Sequence, residues 1–123
     1  MRVAIIGSTG QLGTDLAKVL QKTGSYQVIP LSHDVVECTN LGSVKVALTN
    51  LHPEIVVNCA AYVRVDECEE RPEEAFRVNA LGALHIARVS AELNALCVYI
   101  GTDYVFDGEK RRGFIQKKIS LIR

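Results

Sequence analysis

The sequence predicts an α/β fold of three layers, a doubly wound parallel sheet with helices on both sides. Three observations predict it. Short apolar, β-branched runs alternate with stretches of helical periodicity, which calls for parallel pairing through right-handed crossovers. The strand segments are apolar almost throughout, as expected of strands covered on both faces. Three glycines, Gly7, Gly10 and Gly13, stand at the first junction of a strand with a helix.

The elements follow in order. Arg2 to Ile6 is the first strand, ending at Gly7. Gln11 to Lys22 is a helix that sets Leu12, Leu16, Val19 and Leu20 on one face. Gln27 to Leu31 is the second strand. Leu41 to Leu51 repeats Leu41, Val44, Leu48 and Leu51 at helical spacing, with Asn40 as N-cap. Glu54 to Asn58 is the third strand. Pro72 opens a long helix in the first-turn position that proline tolerates. Glu73 and Glu74 follow where the helix dipole favours acids. That helix is predicted to run to about Asn94 and to turn Phe76, Ala80, Ala83, Leu84, Ala87 and Ala91 to the core. Leu96 to Ile100 is the fourth strand. The expected sheet is a truncated Rossmann-like one of strand order 3-2-1-4. Residues 1–109 make one incomplete nucleotide-binding domain, and residues 110–123 a basic, poorly ordered tail.

Composition narrows the function. At 123 residues and 48% apolar, the chain suits one globular, soluble domain. No apolar run approaches the roughly 20 residues that span a bilayer, and Met1 to Ile6 lacks the layout of a signal peptide. Cys38, Cys59, Cys68 and Cys97 show no C-x-x-C spacing, so buried or half-buried thiols in a reducing cytoplasm are expected, and no metal site. An acidic turn around Asp66, Glu67, Glu69 and Glu70 reads as a solvated helix approach. The net charge of zero is uneven. Residues 1–109 hold all fourteen acids and eight of the fourteen bases, a balance of −6, and the last fourteen residues carry +6.

The glycine loop points to a dinucleotide. In "GSTGQLG", Gly7 permits the tight turn off the strand, Gly10 lets backbone approach a pyrophosphate, and Gly13 lets the helix pack on the sheet. The amides of Gln11, Leu12 and their neighbours at the helix start then face the anion, with the Ser8 and Thr9 hydroxyls at hand. The spacing differs from G-x-G-x-x-G. At the end of the second strand, an acid would hold a ribose 2′-hydroxyl and favour NAD. Ser32 occupies that slot, with His33 beside it, and Asp34 comes late. The missing acid leans toward NADP, although no arginine accompanies it.

Three stretches, "GSTGQLG", "VVNCAAYVRVDECEERPEEAFRVNALG" and "TDYVFDG", resemble the extended short-chain dehydrogenases/reductases. Within them the chain is most similar to the dTDP-4-dehydrorhamnose reductase family, over residues 1 to about 113 and less than half of a full member. The resemblance implies an NAD(P)-dependent oxidoreductase that reduces a 4-keto nucleotide sugar. It implies that Glu37, Cys38, Thr39 and Asn40 flank the adenine, and that Cys59, Ala60, Ala61 and Tyr62 pass under the cofactor. It places Asn79 in support of the active site, Thr102 as the catalytic hydroxyl on the substrate keto oxygen, and Asp103 and Tyr104 beside the sugar. Gly101 departs from the serine usual there. A related non-catalytic module, the regulatory subunit of methionine adenosyltransferase, resembles the same branch and is the alternative.

The family's proton donor and its cationic partner belong to a Tyr-x-x-x-Lys pair one helical turn apart. The residues four beyond Tyr26, Tyr62, Tyr99 and Tyr104 are Pro30, Asp66, Asp103 and Gly108, so the pair is absent from these residues and the chain alone is expected to be inactive. Back-translated and read in a shifted frame, the stretch from Gln116 to Arg123 spells Lys-Glu-Asp-Ile-Pro-Asn-Pro, the run of the family. A frame change near Gln116 and Lys117 is one reading of the tail. A nucleic-acid arm is the other, disfavoured by the lack of interleaved aromatics. A bare edge on the fourth strand predicts self-association. The partners implied are thus the dinucleotide, a nucleotide sugar in the intact enzyme and a second copy of the chain, with no nucleic acid or membrane.

Overall fold

In the computed structural model, residues 1–60 and 72–100 are described. Four parallel strands form one sheet: β1 (Arg2–Ile6), β2 (Gln27–Leu31), β3 (Ile55–Asn58) and β4 (Leu96–Tyr99). Between them lie α1 (Gln11–Thr23), α2 (Leu41–Leu51), α3 (Pro72–Phe76), a π-helical stretch (Arg77–Gly82) and α4 (Ala83–Glu92). No described helix is long and apolar enough to cross a membrane.

Successive residues of β1 serve opposite faces, as strand geometry demands. Val3 and Ile5 join Val57 and pack against Leu16, Ala17 and Leu20 of α1. Ala4 and Ile6 join Val56 and pack with Val44 and Leu48 of α2 and Ile86 and Val89 of α4. One helix therefore covers one face, and α2 and α4 together cover the other. The sheet is doubly wound, in three layers, as the sequence predicts.

The strand order is 2-1-3-4, which corrects the expected 3-2-1-4. Residues 32–40, which follow β2, make turns and no strand: the amides of Val35 and Val36 donate to the Ser32 carbonyl, and that of Asn40 to the Glu37 carbonyl. The chain then crosses through α2 on the face opposite α1. A right-handed crossover on that face moves the next strand the other way, so β3 pairs with β1 and not with β2. The winding reverses at β1, and the carboxyl ends of β1 and β3 flank the reversal.

The long helix is corrected as well. Its buried residues are Gly82, Ile86, Val89 and Ser90. The stripe expected inside is outside: Phe76 is 60% exposed and Leu84 52%. Gly82 gives the reason: a Cβ there would come 2.8 Å from the Cys38 Sγ, so the side of the helix that carries Gly82, Ile86 and Val89 is the one that fits against the neighbouring loop. On α1, Leu12 and Val19 are likewise exposed, while Leu16 and Leu20 pack inward.

Helix α2 begins as the sequence predicts. The Asn40 side chain accepts from the Ser43 amide at 3.1 Å, an N-cap. Leu48 is fully buried at its centre and Leu41 is 37% exposed at its start. Replacing Leu48 with alanine is expected to cost about 2–5 kcal/mol, through lost burial and a cavity. The Leu41→Ala change should cost less than about 1 kcal/mol. Urea denaturation of the two variants measures both; equal losses would contradict the packing described.

Candidate functional site

A cleft of about 410 Å³ opens at the carboxyl edge of the sheet. The ends of the strands are in register there: Ile6 pairs with Leu31 and with Asn58, and Asn58 with Tyr99. Its lining comes from the glycine loop (Gly7, Thr9, Gly10), the turns after β2 (His33, Val36, Glu37, Cys38), the turn after β3 (Cys59, Ala60), Ile6 and Val78. Open α/β sheets bind ligands at this edge, where the winding reverses.

Each glycine has a distinct geometric reason. Gly7 has φ +78°, and a Cβ there would stand 2.7 Å from the Ala60 amide nitrogen. Gly13, in the first turn of α1, lies so close to the loop that a Cβ would overlap the Gly7 carbonyl. Gly10 is different: its φ is −73°, and a Cβ would meet only the Gly7 carbonyl oxygen, at 3.4 Å. Neither backbone conformation nor crowding calls for glycine at position 10, which lines the cleft. Gly10 is also the N-cap of α1 and offers no capping side chain. The amides of the first helical turn have no intrahelical acceptor, and the positive end of the helix dipole lies at Gly10, on the cleft.

The loop is fastened on two sides. The amides of Gly7 and Ser8 both donate to the Leu31 carbonyl at 3.2 Å, tying it to β2. The Thr14 hydroxyl donates to the Ser8 carbonyl at 3.0 Å, tying it to α1. The facing turn is held by buried Asn58, whose side-chain oxygen accepts from the Ala60 amide at 3.0 Å. The Cys59 amide donates to the Ile6 carbonyl at 2.9 Å. These bonds fix both walls before any ligand arrives.

The far wall carries the charge. His33 Nε2 and Glu37 Oε2 lie 3.2 Å apart, with the imidazole largely exposed. Glu37 Oε1 accepts from the Thr39 hydroxyl at 2.8 Å. Glu37 is the acid of the site, five residues beyond the slot where an acid was sought at the end of β2. A turn, and not sequence distance, brings it back to the cleft.

Of the residues expected from the sequence, Gly7, Thr9, Gly10, His33, Glu37, Cys38, Cys59 and Ala60 come together on the cleft. Ser8 and Gly13 support the loop from behind. Gln11 and Leu12 open helix α1. Ser32 accepts the turn bonds from Val35 and Val36 through its carbonyl, and Thr39 bonds Glu37, so neither lines the cleft. Asn79 lies in the π-helical stretch, and its carbonyl accepts from the Tyr99 hydroxyl at 3.3 Å. Ala61, Tyr62, Thr102, Asp103 and Tyr104, and the whole of the tail, lie outside the described residues. Ile6, Val36 and Val78 were not anticipated. The first two continue apolar runs, and Val78 arrives from a distant helix with no local signal.

Among the described residues no cluster of His, Cys, Asp and Glu could hold a metal ion. Cys38, Cys59 and Cys97 are thiols.

These features define a nucleotide-binding α/β domain of the Rossmann type. The chain belongs to the dTDP-4-dehydrorhamnose reductase-like branch of the extended short-chain dehydrogenases/reductases: the family model described as RmlD substrate binding domain matches residues 1–120. The chain is 38% identical over 108 residues to the spore coat polysaccharide biosynthesis protein SpsK of Bacillus subtilis, covering 88% of this chain and 38% of the relative. It is 37% identical to the dTDP-4-dehydrorhamnose reductase of Aggregatibacter actinomycetemcomitans, covering 89% and 37% respectively. The solved structure of dTDP-4-dehydrorhamnose reductase from Bacillus anthracis in complex with NADP is similar, with TM-score 0.81 and 38% identity over 89% of this chain and 39% of that one. The Clostridium acetobutylicum orthologue gives TM-score 0.82 over 93% and 40%. The chain thus spans about two-fifths of the length of the relatives it matches.

Burial raises the Cys59 thiol above its ordinary value of 9.0. The folded state then holds the proton more tightly than the unfolded chain, so its contribution to stability is complete below pH 9.0 and is lost as pH rises through the folded value. A Cys59→Ala variant is expected to lose stability less steeply than the parent above pH 9.0, in urea titrations at increasing pH. Parallel curves would show that this thiol is not desolvated.

Proposed function

We propose that the cleft binds the dinucleotide NAD(P) and that the chain is the cofactor-binding portion of an oxidoreductase acting on a 4-keto nucleotide sugar. One observation carries the reading. The fold requires glycine at positions 7 and 13 but not at 10, and Gly10 both lines the cleft and stands at the uncapped start of α1. That is the arrangement a pyrophosphate needs: uncapped amides, a helix dipole and no intervening Cβ. The relative from Bacillus anthracis, solved with NADP, supports it.

The residues present fit such a group. Gly7, Thr9, Gly10 and the start of α1 would take the pyrophosphate, and the turn of Cys59 and Ala60 would pass beneath the nicotinamide half. The wall from His33 to Cys38 would meet the adenosine half, since the adenosine ribose belongs at the end of the second strand. His33 beside that position favours a 2′-phosphate and so NADP. The Glu37 carboxylate draws on the same imidazole at 3.2 Å, which keeps the preference small. When bound, the reduced nicotinamide supplies a hydride. Thr102 is assigned to the keto oxygen of the sugar, with Asp103 and Tyr104 beside it, by their match to the family's motif. The 123 residues contain no Tyr-x-x-x-Lys pair, so this chain alone is expected to bind without turning over.

The test separates binding from folding. NADPH and NADH are titrated into the chain by fluorescence, and then into a Gly10→Val variant. The variant should still fold, because a Cβ at position 10 meets only the Gly7 carbonyl oxygen, at 3.4 Å, with a loss in melting temperature limited to that of a poorer N-cap. Its affinity for both dinucleotides should fall by about tenfold or more, the cost of displacing an anion from helix amides. Absence of binding to the parent chain, or equal binding by the variant, would refute the assignment.

A further inference from the structure

The wall of the cleft that holds Glu37 and Cys38 lacks a strand ladder. Hydrogen bonds close residues 32–40 on themselves and on the start of α2: the Ser32 turn, the Glu37–Thr39 bonds and the Ser43 hydroxyl that accepts from the Glu37 amide at 3.0 Å. A segment built of turns in place of a ladder opens more readily than a strand. A long-range bond reaches it from the helix layer. His85 Nδ1 lies 2.9 Å from the Cys38 carbonyl oxygen, 47 residues away in sequence. A carbonyl only accepts, so Nδ1 carries a proton and donates, in the neutral ring and in the charged ring alike.

A second contact converges on the same residue. Gly82, one turn before His85, is buried against Cys38, and a Cβ there would come 2.8 Å from its Sγ and 3.3 Å from its Cβ. Gly82 closes the π-helical stretch that also sends Val78 into the cleft. π-Helical turns are uncommon and gather at functional sites. The helix thus grips Cys38 by its backbone and by its side chain, and Cys38 and Glu37 line the cleft.

We propose that His85 is a positioning residue for the adenosine half of the dinucleotide. It touches no ligand; its bond to the Cys38 carbonyl sets the distance between the Glu37–Cys38 wall and the glycine loop. This rests on the dinucleotide reading of the cleft.

The experiment uses the full chain, with ADP-ribose as the probe for the adenosine half and NADPH as the probe for the whole cofactor. His85→Leu removes the donor at similar size. His85→Asn restores it, because the asparagine Nδ2 stands where the histidine Nδ1 stood, whereas His85→Gln places its amide one carbon too far. ADP-ribose affinity is expected to fall by roughly three- to tenfold in His85→Leu, the worth of one hydrogen bond. It should stay within about twofold in His85→Asn, and fall in His85→Gln as it does in His85→Leu. Amide exchange in residues 33–40 should quicken in the Leu and Gln variants and not in the Asn variant. Should His85→Leu fail to fold, the comparison of Asn with Gln decides the question alone. Unchanged affinity in His85→Leu, or no difference between Asn and Gln, would overturn the inference while leaving the cofactor site intact. Binding of neither probe by the parent chain would instead overturn the dinucleotide reading, and this inference with it.

Discussion

The close approach of Gly13 to the Gly7 carbonyl is the contact on which the arrangement depends. It lets α1 start directly above the end of β1, so that amide groups with no helical acceptor reach the carboxyl edge of the sheet. A methyl group at position 13 would push the helix outward by a fraction of its radius, and the first-turn amides would leave the cleft. The positive φ of Gly7 serves the same end, because it reverses the chain in the space left by the Ala60 amide. Two glycines thus satisfy packing, and they do so in order that a third need not. Gly10 needs no such accommodation, and it stands on the cleft.

The topology supplies the room. After β2, the turns of residues 32–40 send the chain to the opposite face, and β3 lands beside β1. Helix α1 lies on one face and helices α2 and α4 on the other. A cleft at this place is a consequence of the reversal and not of any particular side chain. What side chains add is rigidity: Asn58 on the turn after β3, Thr14 on the glycine loop and His85 on the wall beyond β2 each bond a carbonyl or an amide that no strand holds.

The strands and helices were legible in the sequence because each is a dense apolar run between turn residues. The N-cap at Asn40 and the tasks of Gly7 and Gly13 were legible because they follow from local geometry. The strand order was not. Alternation of strand and helix determines parallel pairing, but nothing in Leu41–Leu51 itself states on which face that helix will lie. The buried side of the long helix was also hidden, since that helix carries two apolar stripes. Phe76, Ala80 and Leu84 fit helical spacing as well as Val78, Gly82, Ile86 and Val89 do. The choice falls to the stripe with β-branched side chains and with a glycine where the loop presses in, which only the neighbouring segment reveals. Glu37 was reached only through the family resemblance, as a residue flanking the adenine, because the acid of the ribose was sought at the end of β2, where Ser32 stands, and the turn after β2 brings the carboxylate back from further along.

The acidic wall bears on how selective such a site can be. A 2′-phosphate near His33 would be drawn by an imidazolium and repelled by the Glu37 carboxylate. The two groups stand 3.2 Å apart on an exposed rim, where screening by solvent and salt leaves each interaction worth little. A ribose 2′-hydroxyl has the opposite balance, since it can donate to the carboxylate and asks nothing of the ring. Neither cofactor finds a bidentate arginine or a dedicated buried acid among the described residues of this wall, and discrimination built from one weak attraction and one weak repulsion cannot be large. On the proposed reading, the strong part of recognition would be common to both dinucleotides and would lie at the pyrophosphate, where the backbone, which does not titrate, would make the contacts.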